Sequence, residues 1–199
     1  CERSPEQAVK TNITGVQNII DSANYNGVEI VIFTSSDKAV NPTNVMGTTK
    51  LMGERLMTAA NSSKRENGPI FSSTRFGNVL GSNGSVVPIF RNQILQGGPV
   101  TLTDKNMTRF IMSVEEAAEL VLNSILEAKG GEVFVTKMPV IRIKDLALAM
   151  IDKLSLGEVK ITEIGSKPGE KLYEELMSDE ETKRAIELGK FFSVLPAFR

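Results

Sequence analysis

Short apolar, β-branched runs alternate with stretches of helical periodicity along the 199 residues, and this alternation predicts an α/β fold with a largely parallel sheet. Two further observations refine the prediction. The run "VEIVIFTSS" (28–36) is short and almost wholly apolar until its end, the pattern of a strand buried on both faces. Neither G-x-G-x-x-G nor G-x-x-x-x-G-K-[ST] occurs, so the glycine turn that follows the first strand of a doubly wound nucleotide-binding sheet is not in this sequence. The chain opens directly in a helical pattern with no strand before it. It reads as the second half of a larger sheet.

Taken in order, residues 5–25 form a helix, with Val9, Ile13, Val16, Ile19 and Ile20 at helical spacing and Gly27 past its end. Strand 28–36 follows. Residues 44–64 are helical, entered through Asn41-Pro42 and left before Gly68-Pro69. Residues 70–79 ("IFSSTRFGNV") read as the next strand, 84–98 as a helix bounded by glycines, and 100–104 as a short strand. A helix over 113–128 starts with the capping-box pair Ser113 and Glu116. Strand 131–137, helix 142–154, strand 159–165 and helix 169–178 complete the series. No repeat, low-complexity tract or linker interrupts it.

Composition narrows the function. Twenty-three basic and 24 acidic residues leave a net charge of −1, so the chain carries no electrostatic footprint for nucleic acid. No apolar run approaches the length of a membrane span, and the opening "CERSPEQAVK" lacks the features of a signal peptide. Cys1, the single cysteine, excludes an internal disulfide and fits a cytoplasmic address. With no histidine, the usual zinc sites and histidine triads are excluded and no metal is expected. Proton transfer is left to Asp, Glu, Lys, Tyr or hydroxyls.

The richest chemistry gathers where strand 28–36 ends, in Thr34, Ser35, Ser36, Asp37 and Lys38. In an open α/β sheet ligands sit at the carboxyl ends of strands. A solvated loop turned by its aspartate is the plain alternative. Met46 and Lys50, four apart on one helix face, are placed to point back at this end. The following strand ends in "TRFGNVLGSNGS", where Arg75, Asn78, Ser82 and Ser85 bring donors to the same edge. Asn78 and the backbone of 81–85 form either a pyrophosphate seat at a helix N-terminus or a glycine-rich turn capped by Ser85. Arg109 is either a phosphate clamp or half of a surface ion pair.

"SSDKAVNPTNVMGTTK", "RFGNVLGSNGSVVPIF", "MTRFIMS" and "KPGEKLYEEL" occur in this order. Together they resemble the extended short-chain dehydrogenase/reductase family, in its polysaccharide-biosynthesis branch of UDP-N-acetylglucosamine 4,6-dehydratases and related epimerases. The resemblance runs from about Glu2 to about Leu195. It implies the carboxy-terminal part of a doubly wound Rossmann-type parallel sheet plus a small α/β substrate-binding lobe. Residues 1–80 would be a partial NAD(P)-binding domain lacking its first strands. Residues 81–199 would be mainly the lobe, with some segments returning to the sheet.

The chemistry implied by the resemblance is an internal redox cycle on a UDP-sugar, with NAD or NADP as cofactor of the intact protein. Hydride leaves C4 of the hexose, the resulting ketone acidifies C5, water departs across C5–C6, and hydride returns to C6. Asp37 would protonate the leaving C6 hydroxyl, Lys38 would take the C5 proton, and Ser36 would bond the C4 oxygen. Lys50 would hold the nicotinamide ribose, with Thr34, Ser35, Arg75 and Phe76 also at the cofactor. A free lysine titrates near 10.4, so Lys38 accepts a proton at neutral pH only where burial or a neighbouring cation depresses it. Without cofactor, Asp37 is expected to hold Lys38 protonated.

Met46 stands where many family members carry the tyrosine of YxxxK, which places this chain in an MxxxK set. A thioether has no proton to exchange and is read as packing. The C4 proton then leaves through Asp37, Lys50 or a water held by Ser36.

Substrate contacts implied by the motifs are Asn78, Ser82, Ser85, Val86, Arg109, Lys167 and Glu170. Lys167 replaces the arginine of the family's R-P-G-E-K, keeping the charge and losing the bidentate fork. Helix 44–64 resembles the family's dimer-forming helix, implying a homo-oligomer, with Met52 and Met57 as contacts or as core. Three functions stand: a 4,6-dehydratase, a UDP-sugar C4 or C5 epimerase, and a non-catalytic module.

Overall fold

In the computed structural model, residues 1–82, 84–155 and 157–198 are described. The chain opens with α1 (Pro5–Val9), a π-helical turn (Lys10–Thr14) and α2 (Gly15–Asn26), which run on as one helical stretch. Gly27 ends it at φ +68°, a left-handed stop that favours glycine. Next come β1 (Ile30–Ser36), a 3₁₀ turn (Asp37–Ala39), α3 (Val45–Ser63), β2 (Ile70–Phe76) and β3 (Asn78–Val79). Then follow α4 (Val86–Leu95), β4 (Val100–Leu102), β5 (Thr108–Met112), α5 (Val114–Glu127) and β6 (Val133–Thr136). The chain finishes with β7 (Val140–Arg142), α6 (Ile143–Leu154), β8 (Ile161–Glu163), α7 (Asp179–Thr182), β9 (Ala185–Leu188) and β10 (Phe191–Val194).

These elements sort into two compact units. The first takes residues 1–76, 115–137 and 175–199; the second takes 77–114 and 138–174. Division falls at Gly77, within the segment expected to be one strand over 70–79. A Cβ on Gly77 would lie 2.6 Å from the Met138 sulfur and 2.9 Å from the Phe110 carbonyl oxygen, so only glycine fits there.

The first unit is built on a five-stranded sheet in the order β1-β2-β6-β10-β9. β1, β2 and β6 are parallel, as the alternating pattern predicts, and Thr34, Ser35 and Ser36 pair with Thr74, Arg75 and Phe76. β10 joins β6 antiparallel and carries β9 as a hairpin. Val31 and Phe33 pack with Val16, Ile20, Met57 and Phe71 under the helices, while Val133, Val135 and Val194 form a second apolar cluster. The expectation that 28–36 is buried on both faces is corrected: β1 is the terminal strand of the described sheet and its apolar residues are half-buried. β2 is the more deeply buried strand, its five central residues Phe71–Arg75 all buried, although four of them are polar.

The second unit has two small sheets, β3-β5-β7 and β4-β8. Its core of Phe90, Ile94, Val100, Leu102, Met107, Ile143 and Ala147 holds α4 and α6 together. The helix expected over 169–178 does not form. Carbonyls that would accept helical bonds are engaged elsewhere: Leu172 accepts from the Thr108 N–H and from Arg109, and Lys171 accepts from Arg109. β5, β7, α7 and the β9–β10 hairpin are elements the periodicity reading missed.

Candidate active site

Ser36 leaves β1 in extended conformation and caps the 3₁₀ turn, its hydroxyl accepting from the Lys38 N–H at 3.3 Å. The same hydroxyl donates to Asp37 Oδ1 at 2.9 Å. Lys38 Nζ bonds that oxygen too, also at 2.9 Å. Asp37 is wholly buried (0% exposed), and its Oδ2 has no partner among the described residues. Lys38 is the accessible member of the pair, its side chain 25% exposed. A buried carboxylate with one satisfied and one open oxygen, beside an accessible ammonium, is suited to moving a proton.

α3 supplies the second cation. Asn44 caps the helix by accepting from the Gly47 N–H. Gly47 then faces the 3₁₀ turn so closely that a Cβ there would overlap the Lys38 carbonyl oxygen. This contact fixes the height at which Lys50 leaves the helix. Its Nζ donates to the Thr34 carbonyl at 2.8 Å and stands 4.8 Å from the centre of the Phe33 ring. Burial pushes the Lys50 ammonium below the ordinary lysine value, and Glu54 opposes that shift. Asp37, Lys38 and Lys50 are thus gathered at the carboxyl end of β1, as the spacing implied. Met46 is half-buried; its carbonyl accepts from Thr49, whose hydroxyl in turn accepts from Asn12.

Other expected cofactor contacts divide. Thr34 is exposed, Phe76 is half-buried, and Ser35 is buried with its hydroxyl unpartnered among the described residues. Arg75 is corrected as a donor to the sheet edge. It is 1% exposed, and all five of its N–H groups are engaged by Glu54, Glu181 and the Leu176 carbonyl. Of the two readings given for the methionines of α3, Met57 takes the core one, while Met52 is exposed.

In the second unit, Asn78, Ser85, Val86 and Arg109 line one cavity of about 20 Å³, far smaller than a sugar nucleotide needs. Asn78 Oδ1 and Ser85 Oγ are buried and unpartnered among the described residues, and Ser85 makes no side-chain cap on α4. Ser82 bonds the Val79 carbonyl. Asn83, inside the expected 81–85 seat, lies outside the described residues. Arg109 is itself buried, holds the carbonyls of Thr108, Lys171 and Leu172, and makes a long ion pair of 3.8 Å with the exposed Glu170. Lys167 and Glu170 close a turn on each other, the Glu170 N–H donating to the Lys167 carbonyl and the Lys167 N–H to the Glu170 carboxylate.

Sequence reasoning missed Glu54 and Glu181. Both were readable, Glu54 as the residue four beyond Lys50 and Glu181 as the end of the capping box Ser178-x-x-Glu181.

Parallel strands β1, β2 and β6, with Ser36-Asp37-Lys38 at the end of β1 and Lys50 returned from α3 to the same end, give the arrangement that the resemblance to the short-chain dehydrogenase/reductases implied. A family model described as polysaccharide biosynthesis protein matches residues 1–196, and the chain belongs to that family, in its branch of nucleotide-sugar dehydratases and epimerases. It is 52% identical over 202 residues to an uncharacterized membrane protein of Methanocaldococcus jannaschii, covering 98% of this chain and 61% of that protein. It is 41% identical to the UDP-N-acetylglucosamine 4,6-dehydratase (inverting) of Campylobacter jejuni, covering 100% of this chain and 58% of the relative. It is also 41% identical to the UDP-glucose 4-epimerase of Rickettsia canadensis, covering 98% and 57%. The crystal structure of Pen from Bacillus thuringiensis superposes with a TM-score of 0.95 at 48% identity, covering 99% of this chain and 62% of that one. The chain therefore spans about three fifths of the length of these four proteins. No helix among the described residues is long and apolar enough to cross a membrane.

Proposed function

We propose that the protein acts in nucleotide-sugar modification for surface polysaccharide biosynthesis, as a UDP-N-acetylglucosamine 4,6-dehydratase. The observation that carries this reading is the buried Asp37 paired to the accessible Lys38 at the end of β1. A C4 epimerase has no hydroxyl leaving from C6 and no use for an acid there; a dehydratase needs an acid and a base on adjacent carbons.

An NAD-type cofactor fits the residues present, since Lys50 is held at the strand end and Ser35 has a buried hydroxyl without a partner among the described residues. Lys50, Thr34, Ser35 and Phe76 would hold it, NAD or NADP, and it would supply the redox chemistry, taking hydride from C4 and giving it back at C6. The C4 hydroxyl proton leaves through Asp37, Lys50 or a water held by Ser36, and C5 is reprotonated from Lys38. Ser36 bonds the C4 oxygen. Lys38, once free of Asp37, takes the proton from C5. Asp37, protonated at Oδ2, gives a proton to the C6 hydroxyl as the C6–O bond breaks and water leaves. Because Asp37 is wholly buried, this delivery requires the 3₁₀ turn to shift on substrate binding. Asn78, Ser82, Ser85, Val86, Arg109, Lys167 and Glu170 serve the UDP-sugar, and helix α3 serves a homo-oligomer through its exposed Met52.

The second reading is a UDP-sugar C4 or C5 epimerase, favoured by the equal identity to a UDP-glucose 4-epimerase. Incubating the full-length protein with UDP-N-acetylglucosamine and NAD⁺, then recording NMR of the product, tests the choice. A 4-keto-6-deoxy sugar is expected. An unchanged C6 hydroxymethyl with inverted C4 would give the epimerase the field.

A further inference from the structure

Glu54 stands one turn beyond Lys50 on α3 and is 2% exposed. Glutamate and lysine four apart share a helix face, and a buried carboxylate without a partner is strongly destabilising. Glu54 would therefore be expected to take Lys50. It does not. Arg75 reaches from β2 and forks onto it, Nε to Oε1 at 2.9 Å and Nη2 to Oε2 at 2.7 Å. Lys50 bonds the Thr34 carbonyl instead. Arg75 turns its remaining N–H groups to Glu181, at 2.8 and 2.7 Å, and to the Leu176 carbonyl at 3.1 Å. Formal charges thus alternate through Lys50, Glu54, Arg75 and Glu181, from the strand end to the last segment of the chain.

We infer that Arg75 and Glu181 are positioning residues for Lys50: Arg75 occupies both Glu54 oxygens and so leaves the Lys50 ammonium on the Thr34 carbonyl, while Glu181 sets the charge that Arg75 presents to Glu54. The inference rests on the assignment of Lys50 to the reacting site. It makes the turn at α7 part of the electrostatics of the β1 end. The sequence alone does not join these groups, because Arg75 sits in a strand and Glu181 beyond a segment without regular structure.

Burial lowers the Lys50 pKa and Glu54 raises it. Other charges on elements packed against α3 are the Asp37–Lys38 pair, closed on itself, and Glu6, Lys10 and Asp21 of the N-terminal helical stretch, all exposed. Arg55 on α3 itself is exposed as well. Glu54 is therefore the acid through which the network reaches Lys50. Arg75→Met frees the Glu54 carboxylate to pair with Lys50 and should raise its pKa. Glu181→Gln removes a negative charge and leaves Arg75 to Glu54 alone, so the pKa should fall. Both changes break a buried ion cluster and lower stability, and the lost charges alone would act on Lys50 in the same two directions, so a Glu54→Gln background is what separates an effect carried by Glu54.

The test is an NMR titration of ¹³C-lysine-labelled full-length protein, with the Lys50 signal assigned through Lys50→Arg. We expect an upward shift in Arg75→Met, a downward shift in Glu181→Gln, and no upward shift when Arg75→Met is made in a Glu54→Gln background. Should Arg75→Met fail to fold, Arg75→Lys keeps the charge, loses the fork, and shifts Lys50 upward by less. An unmoved Lys50 in a folded variant, shifts of the same sign, or an Arg75→Met shift that survives in Glu54→Gln overturns the inference. No substrate or turnover enters the measurement, so it reads independently of whether the protein is a dehydratase.

Discussion

Three side chains at the end of β1 carry the proposed chemistry, and each has a different freedom. Asp37 is buried and half-satisfied, Lys38 is accessible, and Lys50 is tied to a backbone carbonyl. Asp37→Asn keeps the shape and the bond from Ser36 and removes the exchangeable proton. We expect dehydration to slow by roughly 10²–10⁴-fold, the usual worth of a positioned acid, with the first oxidation at C4 spared. Single-turnover NADH formation against appearance of the dehydrated product separates the two steps. Lys38→Ala should stop solvent deuterium entering C5. Met46→Leu, a volume-conserving change at a half-buried side chain, should cost less than about 1.5 kcal/mol and leave both steps in place. Loss of the first hydride transfer in Met46→Leu would return that position to the chemistry.

At the scale of elements, the site depends on α3 lying against the 3₁₀ turn and on β2 being held from behind. Gly47→Ala puts a methyl into the Lys38 carbonyl and 3.1 Å from the Pro42 Cβ. We expect a loss of about 1–3 kcal/mol in denaturant titrations, as for overpacked cores, and a larger loss of activity than of fold, because the turn that yields carries Asp37 and Lys38. Behind β2, burial works to raise the Glu181 pKa, but its bonds to Arg75 and the Arg75 charge outweigh this and hold it at about 2, below its ordinary 4.5. A depressed carboxylate stabilises fully above its unfolded value. That contribution is lost as pH falls from about 4.5 through about 2. Glu181→Gln should therefore flatten the decline of stability across that window, measured by urea unfolding at stepped pH.

Most of this scale was legible in the sequence: α3, the β1–α3–β2 order and the strand-end cluster follow from periodicity and from the place of Asp37 and Lys38. What escaped was decided by tertiary contact. Residues 169–178 have a helical composition but give their carbonyls to Arg109, and β2 hides four polar residues that pattern alone would place outside. Arg75 looked like a ligand donor because its two acids come from distant segments.

For the molecule as a whole, the cofactor question is the most direct to settle. The 199 residues contain no glycine-rich phosphate turn. We expect them, taken alone, to show no micromolar affinity for NAD⁺ by calorimetry, and the full-length protein to bind it. Micromolar binding by the 199 residues would require a phosphate site elsewhere in the fold. The terminal position of β1, with backbone groups unpaired on one side among the described residues, adds a second expectation. In isolation these residues should self-associate by strand pairing, visible in light scattering, and a compact monomer would contradict that.

The order of strands, β1-β2-β6-β10-β9, has a bearing on how the protein is made. Among the described strands of this sheet β10 is made after all the others, yet its place is between β6 and β9, and Glu181 comes only shortly before it. Until then β6 has an open side and Arg75 has one of its two acids. The first unit can therefore close only once residues 175–194 have been made, and a chain cut between Glu174 and Glu181 would lose both the antiparallel partner of β6 and the second acid of Arg75.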